Sequence, residues 1–114
     1  MAGNENINVV NNADKLRFEV YLNGEYAFIE YRYCKRDIAF MHTTVPEAFR
    51  GRGIAAAMAI ATLNFAKDQR RKIMLYCPFV SKYVREHTEY HALVDTDYHP
   101  SFANDLNNDK PGGV

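Results

Sequence analysis

Three things are scarce in this sequence: cysteine, long apolar runs and any imbalance of charge. Two cysteines, Cys34 and Cys77, are too few to frame a disulfide-stapled fold, so the expected setting is reducing and cytoplasmic. No apolar stretch approaches the roughly 20 residues that a membrane-spanning helix needs. Met1 to Asn6 also lacks the charged-then-apolar order of a secretory signal. The expectation is a soluble protein with no membrane partner. Lys and Arg total 14 and Asp and Glu total 14, so no global field recruits nucleic acid, which is not an expected partner. With 114 residues, 47% of them hydrophobic, there is material for one domain that buries roughly two thirds of its unfolded surface, and too little for two.

What is present is periodic. Residues 1–14 are rich in Asn and poor in large apolar side chains beyond Ile7, Val9 and Val10, and are expected to be a flexible leader. From Lys15 the folded part begins. Leu16, Phe18, Val20 and Leu22 alternate with polar or aromatic partners, the period of a strand with one buried face. Asn23-Gly24 supplies a type I′ hairpin turn into a second strand over Tyr26 to Tyr33. Lys35-Arg36-Asp37 reads as another turn, with Cys34 a small structural residue at its edge, and Ile38 to Val45 as a third strand.

The next stretch, Val45-Pro46-Glu47-Ala48-Phe49-Arg50-Gly51-Arg52-Gly53-Ile54-Ala55, turns the chain from extended to helical. Gly51 and Gly53 permit positive φ and close approach of backbone to a ligand, and a helix start presents unpaired N–H groups and positive dipole charge. Such an end binds phosphate, and Arg50 and Arg52 add charge. The stretch therefore reads either as an anion cradle or as a surface turn with two convenient glycines. It is not a nucleotide P-loop, since Gly53 is not followed by Lys and Ser or Thr.

Ile54, Met58, Ala61 and Phe65 recur at helical spacing as far as about Gln69. Ile73 to Cys77 is a nearly continuous apolar run, the mark of a central strand, and strand–helix–strand order implies a right-handed parallel crossover. The C-terminal ends of the two parallel strands then lie beside the cradle, where open α/β sheets hold ligands. Pro78 opens a second helix ending near His87, with Tyr90, Leu93 and Val94 packing back on the core. Residues 95–114 are polar and end in Pro111-Gly112-Gly113, so a disordered tail is expected. His87 and His91 lie four apart, but no acidic or thiol partner stands convincingly near them, and no metal is expected.

At this point the residues resemble a known family. Arg50-Gly51-Arg52-Gly53-Ile54-Ala55 fits the (Gln/Arg)-x-x-Gly-x-(Gly/Ala) signature of the GNAT superfamily of acyl-CoA-dependent N-acetyltransferases. His42-Thr43-Thr44-Val45-Pro46, Cys77-Pro78-Phe79-Val80 and His87-x-Glu89-Tyr90 resemble its short single-domain "N-acetyltransferase domain-containing" branch, over residues 15–94. The fold implied is α/β (α+β): an antiparallel meander, a β-α-β crossover and a C-terminal helix. The resemblance further implies acetyl-CoA as co-substrate, its pyrophosphate on the amides of Arg50, Gly51, Arg52, Gly53, Ile54 and Ala55. Its pantetheine arm would run beside Thr44 and Val45, with the thioester at a splay between the parallel strands where Cys77 stands.

Acetyl transfer needs a neutral amine, a polarised carbonyl and groups that move protons. His42 is the titrating candidate for the base, or a strand histidine that only bonds a neighbour. Tyr83 resembles the tyrosine with which many members protonate the departing CoA, though an aromatic at helical spacing also serves as plain core. Cys77 is either an acyl carrier beside a thioester or a small buried residue closing a strand. Larger members carry extra helices between the first strands and further strands after the second helix, where this chain has only short turns, and Thr88 stands where relatives often carry proline. An open acceptor side suits a protein or peptide amine such as lysine. Two readings remain: an N-acetyltransferase acting on an unidentified amine, and a non-catalytic CoA-binding or interaction module.

Overall fold

The structure is a computed structural model that describes residues 7–102. It has the expected mixed α/β architecture: a five-stranded sheet in the order β1-β2-β3-β4-β5, with helices packed against it. The strands are β1 (Val10–Asn12), β2 (Arg17–Leu22), β3 (Glu25–Cys34), β4 (Asp37–Thr44) and β5 (Ile73–Leu75). Helix α1 (Ile54–Asp68) joins β4 to β5, which pair in parallel, and α2 (Pro78–Glu86) follows β5. The first four strands pair antiparallel. Asn23 and Gly24 both have positive φ, 53° and 82°, as a type I′ turn demands.

The folded unit extends beyond the expected limits at both ends. Val10–Asn12 lies in the stretch read as a flexible leader, yet it pairs with Arg17–Glu19 of β2, and Asn11 Oδ1 accepts a hydrogen bond from the Tyr31 hydroxyl at 2.8 Å. The polar segment after Val94, read as a disordered tail, runs along the outer edge of β5 as far as Phe102. Asp95 N–H donates to the Ile73 carbonyl at 3.0 Å, Leu75 N–H donates to His99 Nε2 at 2.8 Å, and Phe102 is buried. This clasp covers a sheet edge that would otherwise expose unpaired backbone. Residues 1–6 and 103–114, also assigned to leader and tail, lie outside the described residues.

Asp37, expected in a turn, instead opens β4 and is buried. Its carboxyl group shares a hydrogen bond with Asp95 of the clasp. Burial first, and then this carboxylate partner, push its pKa up to about 6. His99 goes the other way: burial lowers its pKa, in keeping with a ring nitrogen that accepts from a backbone N–H.

Helix α1 buries Ile54, Met58, Ala59, Thr62, Leu63 and Ala66, a stripe rotated from the expected one, with Ala61 and Phe65 on its flank. Phe65 packs its ring against Phe18 and Tyr31 at 5.1 and 5.5 Å. The buried Thr62 hydroxyl is satisfied by the Ala59 carbonyl at 2.8 Å. The helix closes with Arg70 at φ 57°: Arg71 N–H reaches the Ala66 carbonyl and Arg70 N–H the Lys67 carbonyl, both at 3.0 Å. This is a Schellman closure with arginine where glycine is usual.

Two irregularities in the sheet prepare the site. Glu30 pairs with His42 and Tyr31 with Phe40, so Met41 is an extra residue that bulges β4. Strand β5, expected to reach Cys77, stops at Leu75, because Tyr76 and Cys77 both donate their N–H groups to the Phe40 carbonyl, at 3.0 and 2.9 Å. With two donors on one acceptor the ladder cannot continue. The parallel strands part there, and Pro78 at the first helical position starts α2.

Candidate active site

Beyond β4, Pro46 leads into a short 3-10 turn, Glu47–Phe49, whose Phe49 is buried and anchors the loop to the core. Gly51 and Gly53 follow with φ of 76° and 75°. A Cβ at either would meet nothing within 4 Å, so glycine is required here by backbone conformation and not by crowding. Gly53 caps α1 without a side-chain hydrogen bond, and the first intrahelical bond runs from Ala57 N–H to the Gly53 carbonyl at 3.0 Å. The amides of Ile54, Ala55 and Ala56 therefore have no intrahelical acceptor.

These amides and α2 border one open cavity of about 390 Å³. One wall is the loop and helix start, with Val45, Phe49, Arg50, Gly51, Gly53, Ile54, Ala55 and Ala56. The other is the side of α2 and its end, with Phe79, Tyr83, Glu86 and His87. Burial, and then the neighbouring Tyr90 and Glu89, raise the Tyr83 pKa above the ordinary phenol value, so its hydroxyl is fully protonated at neutral pH. The Tyr83 ring stacks on His87, with centroids 3.9 Å apart and planes 15° from parallel.

The candidates from sequence thus divide. Val45, Arg50, Gly51, Gly53, Ile54, Ala55 and Tyr83 meet at the cavity. Thr44, Arg52, Cys77 and His42 are not among its lining residues. Cys77 is buried at the N-cap of α2, where the strands part, and its Sγ lies 2.8 Å from Thr43 Oγ1. His42 is exposed, and its Nε2 lies 3.2 Å from Glu30 Oε1. Ala56 and Glu86 of the lining, and the contact of Thr43 with Cys77, had no place in the sequence reading; Phe49, Phe79 and His87 belonged there to the loop and the family motifs, and none was read as a site residue. The α2 residues had a signal in their spacing, since 79, 83, 86 and 87 share one side of a helix.

Residues 17–93 match the family model described as GCN5-related N-acetyl-transferase. The chain belongs to this family. Among its relatives is Protein NATD1 of Mus musculus, 41% identical over 83 residues, covering 70% of this chain and 76% of that protein. Protein NATD1 of Xenopus tropicalis is 38% identical over 89 residues, 75% of this chain and 82% of the relative, and that of Danio rerio 36% over 104 residues, 79% and 94%. The family and the short type of domain agree with the resemblance read from the motifs. Acyl-CoA-dependent transfer is the activity that this family supports at a general level.

Proposed function

We propose that this chain is an acetyl-CoA-dependent N-acetyltransferase that moves acetyl to an amine. The observation that carries the reading is the cavity itself, with a glycine-shaped helix start on one side and a protonated tyrosine on the other. The residues fit the co-substrate, because the uncapped amides of Ile54, Ala55 and Ala56 and the charge of Arg50 suit a pyrophosphate. Acetyl-CoA, when bound, supplies an acetyl group activated as a thioester.

The chain's own groups then handle protons and position. Tyr83 Oη gives its proton to the sulfur as the C–S bond breaks and the amine nitrogen completes the new C–N bond; solvent restores the phenol. His42, the base read from the sequence, lies outside the cavity lining, exposed and paired with Glu30, so the proton of the attacking amine leaves to solvent through the open cavity. The acceptor class is a protein or peptide amine, in keeping with the short turns that connect the first strands.

A second reading passes acetyl through Cys77, and the Thr43 contact at 2.8 Å favours it, since that hydroxyl can donate to a thiolate. Intact-mass measurement after incubation with acetyl-CoA separates the routes: an acetyl adduct on Cys77 supports the relay, and full turnover in Cys77→Ala ends it. The test of the function is release of free CoA from acetyl-CoA against a panel of amines and lysine peptides. Binding of CoA without acceptor-stimulated release leaves a non-catalytic module. No shift in melting temperature with either acetyl-CoA or CoA, each well above micromolar concentration, contradicts both.

A further inference from the structure

His87 ends α2 and makes two separate contacts with Tyr83, one turn earlier. Its Nδ1 lies 2.7 Å from the Tyr83 carbonyl oxygen. A carbonyl oxygen only accepts, so Nδ1 carries the hydrogen and donates it. The Tyr83 carbonyl belongs to the last turn of the helix, where intrahelical donors run out, and the imidazole supplies one. The same imidazole is the surface on which the phenol ring stacks at 3.9 Å. The His87 backbone is pinned as well, its N–H donating to the Val84 carbonyl at 3.1 Å. The imidazole is therefore held by the backbone of the helix whose tyrosine it covers. The other rings near Tyr83, Phe79 and Tyr90, lie farther away at 6.4 and 6.2 Å and are tilted.

A half-buried tyrosine keeps its oxygen in one place only if its rotamer is held, and proton transfer is sensitive to displacements of about 1 Å. Both Tyr83 and His87 border the cavity. We propose that His87 is a positioning residue: it clamps the Tyr83 ring so that the phenol stays aimed at the cavity. The proposal rests on the reading of Tyr83 as the proton donor.

The variant that isolates the clamp is His87→Asn, whose amide retains a donor for the helix end and lacks the ring. With acetyl-CoA and a blocked-N-terminus peptide bearing one lysine, His87→Asn and His87→Ala are expected to lower kcat about tenfold while KM for acetyl-CoA stays within about twofold. In a Tyr83→Phe background the same changes have no further effect. Additive losses in the double variants overturn the clamp and leave the Tyr83 reading standing, whereas full activity of Tyr83→Phe overturns both. A readout free of ligand uses 19F NMR of protein labelled with 3-fluorotyrosine, the Tyr83 line being identified by its loss in Tyr83→Phe. That line is expected to be single in the parent and to split or broaden in His87→Asn. An unchanged line overturns the proposal.

Discussion

One wall of the cavity is made of backbone and the other of side chains, and the two depend on the sequence in different ways. The loop and the start of α1 offer amides, so the side chains there matter mainly through the conformation they allow, as at Gly51 and Gly53. The α2 wall offers a phenol and an imidazole, whose arrangement comes from contacts between side chains. A backbone wall fails when its anchor or its φ angles fail. A side-chain wall loses chemistry one group at a time and keeps its fold.

The largest expected effect breaks the backbone wall from beneath. Phe49 is buried and ties the loop to the core, so Phe49→Ala should cost about 3–5 kcal/mol of stability, read by urea unfolding. Next, Gly53→Val places a β-branched residue at φ 75° and should cost about 1–2 kcal/mol while weakening acetyl-CoA binding about tenfold by calorimetry. A Gly53→Val protein that binds normally would show that this wall does not rely on its left-handed glycine.

Away from both walls, the clasp supplies a comparison in pH. The Asp37 carboxyl has a folded-state pKa of about 6, above its ordinary 3.8. It therefore contributes stability that is complete below about pH 4 and is lost as pH rises through about 6. Asp37→Asn removes this loss. Its melting temperature relative to the parent should climb between pH 4 and pH 6, by an amount equivalent to at most about 2 kcal/mol. The smallest effect concerns Arg70, which holds φ 57° at the end of α1 and does not line the cavity. Arg70→Gly should gain about 1 kcal/mol or less and leave acetyl-CoA binding unchanged, isolating the cost of positive φ from any role in the site.

Local chemistry was readable from the sequence where one or two residues decide a backbone shape. Asn23-Gly24 dictates its turn, Gly51 and Gly53 shape the loop, and strand–helix–strand order fixes a parallel crossover. Features set by distant partners were not readable. Asn-rich β1 is a strand because β2 offers it an edge, and its Asn11 is held by Tyr31, twenty residues away. The polar segment after Val94 is ordered by Ile73, Leu75 and Asp37, none of them near it in sequence. The end of β5 depends on two amides choosing the Phe40 carbonyl. Tyr83 was legible as a candidate through its resemblance to the family's tyrosine on the helix after Cys77, but the imidazole behind it emerges only once α2 is folded and its last turn needs a donor.

The most direct test is a titration of 15N-labelled protein with acetyl-CoA, followed by amide chemical shifts. The account predicts the largest changes at Gly51, Gly53, Ile54, Ala55 and Ala56, with smaller ones at Tyr83 and His87 and none at Asn23 and Gly24. An absence of change at the loop and helix start under saturating ligand, or changes centred on Glu30 and His42 alone, would contradict it.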